Sequence, residues 1–160
     1  MQVNATTLAA QPFLEGLSER QLAMLADDAT FVEFKTGELI FSEGAPANRF
    51  YLLTQGAVAL ESSNEKYEDE RAPVLIETIG PGAALGWSWL FPPYHWHFGA
   101  CAVTPVKAIV FYGTRLREQC ENDHDLGYEL TKRMTAIVIE RLQAVNRRLS
   151  EQNKNLLASV

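Results

Sequence analysis

Residues 30 to 112 break into short β-rich runs, TFVEF, ELIF, RFYLL, AVALES, PVLIETI, GACAV and VKAIVFY, interrupted at Gly37, Gly44, Gly56 and Gly80-Pro81-Gly82. Glycine and proline at that spacing interrupt helices but suit tight turns between strands. The pattern therefore predicts an antiparallel sandwich, roll or barrel. The polar stretch from Ser63 to Arg71, SNEKYEDER, is expected to be an exposed hairpin tip. At 160 residues, the chain is the size of one domain, spanning 1–160.

The flanks of this region carry a different period. Residues 12–28 predict a helix, with Ser18 and Gln21 in capping-box spacing and Leu17, Leu22, Met24 and Leu25 on its apolar side. Thr114 is placed to cap a short helix ending near Cys120, so residues 114–152 hold a short helix followed by a long one. The long helix starts at Asn122 or Asp123 and continues to about Gln152, roughly 45 Å at 1.5 Å per residue. Leu126, Leu130, Met134 and Ile137 form one apolar stripe along it. Val138, Leu142, Val145, Leu149, Gln152 and Leu156 form a second at coiled-coil spacing. A helix that outreaches a small β unit is explained by a partner helix, so a parallel homodimer is expected.

The stretch from Gly86 to Ala100, GWSWLFPPYHWHFGA, holds all three tryptophans and two of the three histidines. Its apolar residues follow neither a period of 2 nor one of 3.6, and Pro92-Pro93 removes two amide donors. The reading is a shaped, aromatic-rich pocket wall.

Other features exclude function classes. A net charge of −6 disfavours a nucleic-acid partner held by phosphate contacts. No apolar run approaches the roughly 20 residues of a membrane span, and the N-terminus lacks a signal peptide's basic start. Cys101 and Cys120 match no metal or redox spacing, which suits free thiols in a cytoplasmic protein. No catalytic triad, P-loop or Rossmann glycine pattern occurs, so no enzymatic activity is expected.

Three motifs, in order, carry a family resemblance. They are Phe34-x-x-Gly37-x-x-Ile40-Phe41-x-x-Gly44, Phe50-Tyr51-Leu52-Leu53-x-x-Gly56-x-Val58 and Gly80-Pro81-Gly82-x-x-x-Gly86. With the helix–strands–helix order, they resemble the cyclic nucleotide-binding domain of the cAMP receptor protein superfamily over nearly the whole chain. The resemblance implies a mainly β fold with flanking helices: an antiparallel, double-stranded, jelly-roll-like β-roll plus a long C-terminal dimerisation helix. It also implies that a ligand in the phosphate-binding cassette shifts the roll against that helix.

The cassette departs from the family pattern. Trp87 stands where nucleotide-binding members have the glutamate that binds the ribose hydroxyl, and Phe98 stands where they have the phosphate-binding arginine, two residues before Ala100. Neither replacement offers a charge or a forked donor. A hydrogen bond to a charged group contributes roughly 1.5–3 kcal/mol, so ordinary cAMP or cGMP binding is not expected. The residues expected to border the ligand are Gly86, Trp87, Ser88, Trp89, Leu90, His95, Trp96, His97, Phe98, Gly99, Ala100 and Arg141. Arg141 is the cation the resemblance places near the base; its alternative reading is a solvated helix arginine or a pair with Glu140 or a neighbouring chain.

His95 and His97 form an H-x-H, a geometry metal sites use, although the Glu ligand that follows it in cupins is absent. They or Cys101 are also candidate haem ligands, and a protonated imidazole can stand in for part of the missing arginine. The plainer alternative is that both histidines hydrogen-bond locally within an aromatic loop. The functional expectation is a small-molecule-sensing regulatory domain, dimeric through Val138, Leu142, Val145 and Leu149, that acts on a protein partner. The alternatives are a ligand-independent dimeric adaptor with an aromatic-filled pocket, or a haem- or metal-binding sensor. Because transcriptional relatives continue into a DNA-binding domain after the long helix and this sequence stops at Val160, no DNA-binding domain is expected.

Overall fold

The computed structural model describes residues 2–63 and 73–158. Strands β1 (Ala29–Phe34), β2 (Leu39–Phe41), β3 (Arg49–Gln55), β4 (Val58–Ser62), β5 (Val74–Ile79), β6 (Ala84–Leu85), β7 (Gly99–Ala102) and β8 (Val106–Tyr112) make up its β portion. They form two four-stranded sheets ordered β1-β8-β3-β6 and β2-β7-β4-β5, and the strand pairs are antiparallel. This is the expected β-roll, with β6 added. A two-residue strand is too short to show a period in sequence.

β3 and β8 explain why RFYLL and AIVF read as nearly unbroken apolar runs. Successive strand residues face opposite ways, and here both faces are covered. Phe50, Leu52, Ile109 and Phe111 join the core beneath the helices, with Leu14, Leu25, Leu126 and Leu130. Tyr51, Leu53, Ala108 and Val110 join the core inside the roll, with Val58, Leu60 and Leu85. The β3–β4 turn requires glycine. Gly56 has φ +89°, and a Cβ there would lie 2.2 Å from the Pro105 carbonyl oxygen.

The helices differ from expectation in their boundaries. Residues 12–28 do not form one helix. Pro12–Leu14 is a 3-10 turn, Gly16 then takes φ +89°, and α2 runs over Glu19–Asp27. Ser18 and Gln21 form the anticipated capping box. Ahead of it lies α1 (Ala5–Ala9), capped by Asn4, whose Oδ1 accepts from the Thr7 amide at 2.8 Å.

Thr114 does not cap α3 (Gly113–Asn122). The Asn48 side-chain oxygen, from the turn before β3, accepts from both the Thr114 amide (2.8 Å) and its hydroxyl (2.7 Å). Asp123 Oδ1 accepts from the Leu126 amide at 3.2 Å at the start of α4 (His124–Ala158). The Leu126 amide and the Arg20 guanidinium beside it hold the Asp123 carboxyl below its usual range.

α4 buries Leu126, Leu130, Met134 and Ile137 as expected, and the buried stripe continues through Arg141 and Ala144. On the other side, Ile139, Leu142 and Leu149 are exposed, and Val138 and Val145 are half-buried. The Leu156 side chain and the hairpin tip beyond Ser63 lie outside the described residues. Among the described residues, no helix is long and apolar enough to cross a membrane.

Candidate functional site

The cassette starts where β6 ends. Gly86 takes φ +93°, and a Cβ there would sit 2.7 Å from the Trp96 ring. Only glycine lets that ring close over the backbone. Trp96 in turn lies flat on Phe41, with centroids 3.7 Å apart and planes at 9°. The backbone of residues 94–96 is tied to the turn before β3. The Ala47 amide donates to the Tyr94 carbonyl (2.7 Å), the Trp96 amide to Ala45 (2.9 Å) and the Gly44 amide to Trp96 (2.8 Å). His95 and His97 flank the buried Trp96, and both are exposed.

Aromatic contacts hold the opposite side. Trp87 stacks on His97 (4.4 Å, 24°) and meets Phe91 edge-on at 6.0 Å. His97 Nδ1 pairs with the Ser88 hydroxyl at 2.9 Å. Ser88 is 2% exposed, so this hydroxyl is out of reach of a substrate and the pair serves as a tie. Arg117 donates to the Trp89 carbonyl and sits 4.1 Å over the Tyr94 ring, linking α3 to the loop.

Of the expected ligand contacts, Gly86, Trp87, Ser88, Trp96, His97, Phe98 and Arg141 border one cavity. Its volume is about 20 Å³. That is room for one water molecule and far below the ~300 Å³ where small-molecule sites begin. The other five lie elsewhere. Trp89 is fully buried in the core beneath the helices, at 6.2 Å from Phe50, and Leu90 packs on the same core. Ala100 is buried inside the roll, and Gly99 precedes it in β7. His95 pairs with Pro46 as an isolated bridge.

Sequence reasoning missed Phe41, Leu60 and Leu85 as walls of this cavity. Their signal was present: each sits in a strand next to an anticipated turn. It also missed the partner of Arg141. Arg141 is 5% exposed. Its Nη1 donates to Glu77 Oε2 at 2.9 Å and its Nη2 to the Ala84 carbonyl at 3.3 Å, while Glu140 is 4.0 Å away. Glu77 belongs to β5, and only the topology brings it to α4. The arginine that borders this cavity is thus already paired with a carboxylate.

The residues do not fit the haem and metal alternatives. A cavity of about 20 Å³ does not admit a haem. Among the described residues, no three His, Cys, Asp or Glu side chains converge. Cys101 lies half-buried in β7.

The family model for the cyclic nucleotide-binding domain matches residues 31–123. The CRP-like cAMP-activated global transcriptional regulator of Mycobacterium tuberculosis is 26% identical over 149 residues, 93% of this chain and 60% of the regulator. The chain therefore spans about 60% of that relative's length. Glutaminase 1 of Bradyrhizobium diazoefficiens is 43% identical over 81 residues, 51% of this chain and 12% of the enzyme.

Among solved structures, one from Geobacter metallireducens GS-15, described as a cyclic nucleotide-binding protein, superposes with a TM-score of 0.76 at 33% identity. That match covers 88% of this chain and 98% of the other. The first of these relatives is a transcriptional regulator, so the expectation of no nucleic-acid partner is not borne out. The matched residues run from β1 to the end of α3 and include the whole cassette. The chain belongs to the cyclic nucleotide-binding domain family.

Proposed function

We propose that this chain is a cytoplasmic, dimeric regulatory module whose cassette is closed by its own aromatic side chains. It does not respond to ordinary cAMP or cGMP, and it acts on a partner protein through α4. The observation that carries this reading is the cavity of about 20 Å³ where a family member would hold its ligand. The Trp96–Phe41 stack, the Trp87–His97 stack and the neutralised Arg141 support it from three sides. The exposed Leu142 and Leu149 on α4 support the dimer. The match to part of Glutaminase 1 supports a protein partner, since a related stretch there accompanies an enzyme.

The test is thermal unfolding with cAMP or cGMP at micromolar concentration, together with native mass spectrometry of the purified chain. A ligand at a hundred-fold excess over its Kd stabilises by about 2.7 kcal/mol, which is a shift of several degrees for a chain of this size. The expected result is no shift and a dimer mass with no added small molecule. A shift of several degrees that disappears in Arg141→Ala overturns the closed-cassette reading.

A further inference from the structure

Phe41 and Trp96 also line a second cleft, outside the cassette, together with Ile40, Pro46, Asn48, Arg49, Tyr51 and Tyr112. Its volume is about 260 Å³, just under the ~300 Å³ lower bound of ordinary small-molecule sites. Four of the eight lining residues are aromatic. Phe41 stacks on Trp96, and Tyr51 lies beyond Phe41 with centroids 6.4 Å apart and planes at 23°.

The polar groups are donors. Arg49 is exposed, lies 5.5 Å over the Tyr112 ring and joins no ion pair among the described residues. Its charge also lowers the proton affinity of the Tyr51 hydroxyl, against the larger rise that burial causes. The Asn48 side-chain oxygen is taken up by Thr114, which leaves its amide nitrogen as a donor. Among the described residues, no Asp or Glu borders the cleft.

A guanidinium outside any ion pair among the described residues and within reach of the Tyr51 hydroxyl, an amide donor and flat aromatic walls form a receptor for a carboxylate on a planar apolar body. Arginine's forked donors match a carboxylate, and the rings match an aromatic plate. We propose that the cleft beside Arg49 binds a small aromatic carboxylate. Because Trp96 and Phe41 wall both the cleft and the cassette, an anion seated here touches the rings that keep the cassette closed. The site stands whether or not the cassette itself takes a cyclic nucleotide.

The test is a titration of the full chain, labelled with 15N, with benzoate, following the three indole N–H signals by NMR and assigning Trp96 from Trp96→Phe. The expected result is a saturable shift of the Trp96 signal with Kd on the order of 1 mM, while the Trp89 signal stays in place. Benzyl alcohol, which keeps the ring and lacks the charge, is expected to give no saturable shift. Arg49→Gln should weaken benzoate about ten-fold or more, and Arg49→Lys should fall between. Arg49 is exposed, so these variants should melt with the parent. The proposal is overturned if the Trp96 shift does not saturate, if benzyl alcohol binds as well as benzoate, or if Arg49→Gln binds as tightly as the parent.

Discussion

Arg141 on α4 and Glu77 on β5 form an ion pair, Nη1 to Oε2 at 2.9 Å, with the arginine side chain 6% and the glutamate 30% exposed. The asymmetry decides what each substitution does. Glu77→Gln leaves the buried guanidinium with only the more distant and exposed Glu140 carboxylate, 4.0 Å away, a loss of about 1–3 kcal/mol. Arg141→Met leaves a glutamate that water can reach and an apolar chain in an apolar stripe, so it should destabilise less. Urea unfolding midpoints of the two variants check the order. A Glu77→Gln midpoint equal to that of the parent would show that the pair does not hold α4.

Gly86→Ala should open the cassette at its tightest point. Its Cβ would meet the Trp96 ring at 2.7 Å, and φ +93° is strained for any side chain. The strain alone is about 1–3 kcal/mol. The Trp96 ring must also slide off Phe41. The expected outcome is a lower melting temperature with a changed near-UV circular dichroism signal. An unchanged signal would mean that the ring is free to move.

The proposed dimer predicts a mass. Leu142 is 57% and Leu149 54% exposed in the isolated chain, and two leucines seven residues apart on one helix face suit a coiled-coil seam. Light scattering should report twice the 17.9 kDa of one chain. Leu142→Glu combined with Leu149→Glu should return 17.9 kDa without loss of the β signal. A parent that already runs at the single-chain mass would rule the seam out.

Cys120 is half-buried, and burial together with Glu121 and Asp123 pushes its thiol from 9.0 up to about 11. The folded chain prefers the protonated form. This contribution to stability is therefore whole below pH 9.0 and is lost as pH climbs from there through about 11. In Cys101→Ser, which leaves Cys120 as the one thiol, iodoacetamide at pH 8 should react roughly ten-fold more slowly with folded than with urea-unfolded protein. Equal rates would place the thiol in water.

Local signals carried most of the fold. Ser18 and Gln21 marked a helix start, and Gly56 marked a hairpin, because each acts within a few residues of itself. The misreadings were of partners supplied from afar. The cap of α3 comes from Asn48, and the partner of Arg141 comes from Glu77. Trp87 and Trp89 look alike in sequence, yet one stacks on His97 while the other is sealed against Phe50 and Gly113. Spacing does not separate them, because the chain between β6 and β7 follows neither strand nor helix period.

The rings that fill the cassette are bonded to the chain that holds them. An ordinary effector arrives and leaves by mass action, and its occupancy follows its concentration. A tethered occupant has an effective concentration set by the backbone alone, here by the short path from Gly86 to Trp96 and Phe98. Dilution cannot empty such a site, and a competing molecule must first expel a buried indole. In the proposed closed state the cassette works as a constant rather than a variable, and any input that the domain reads would enter through another surface.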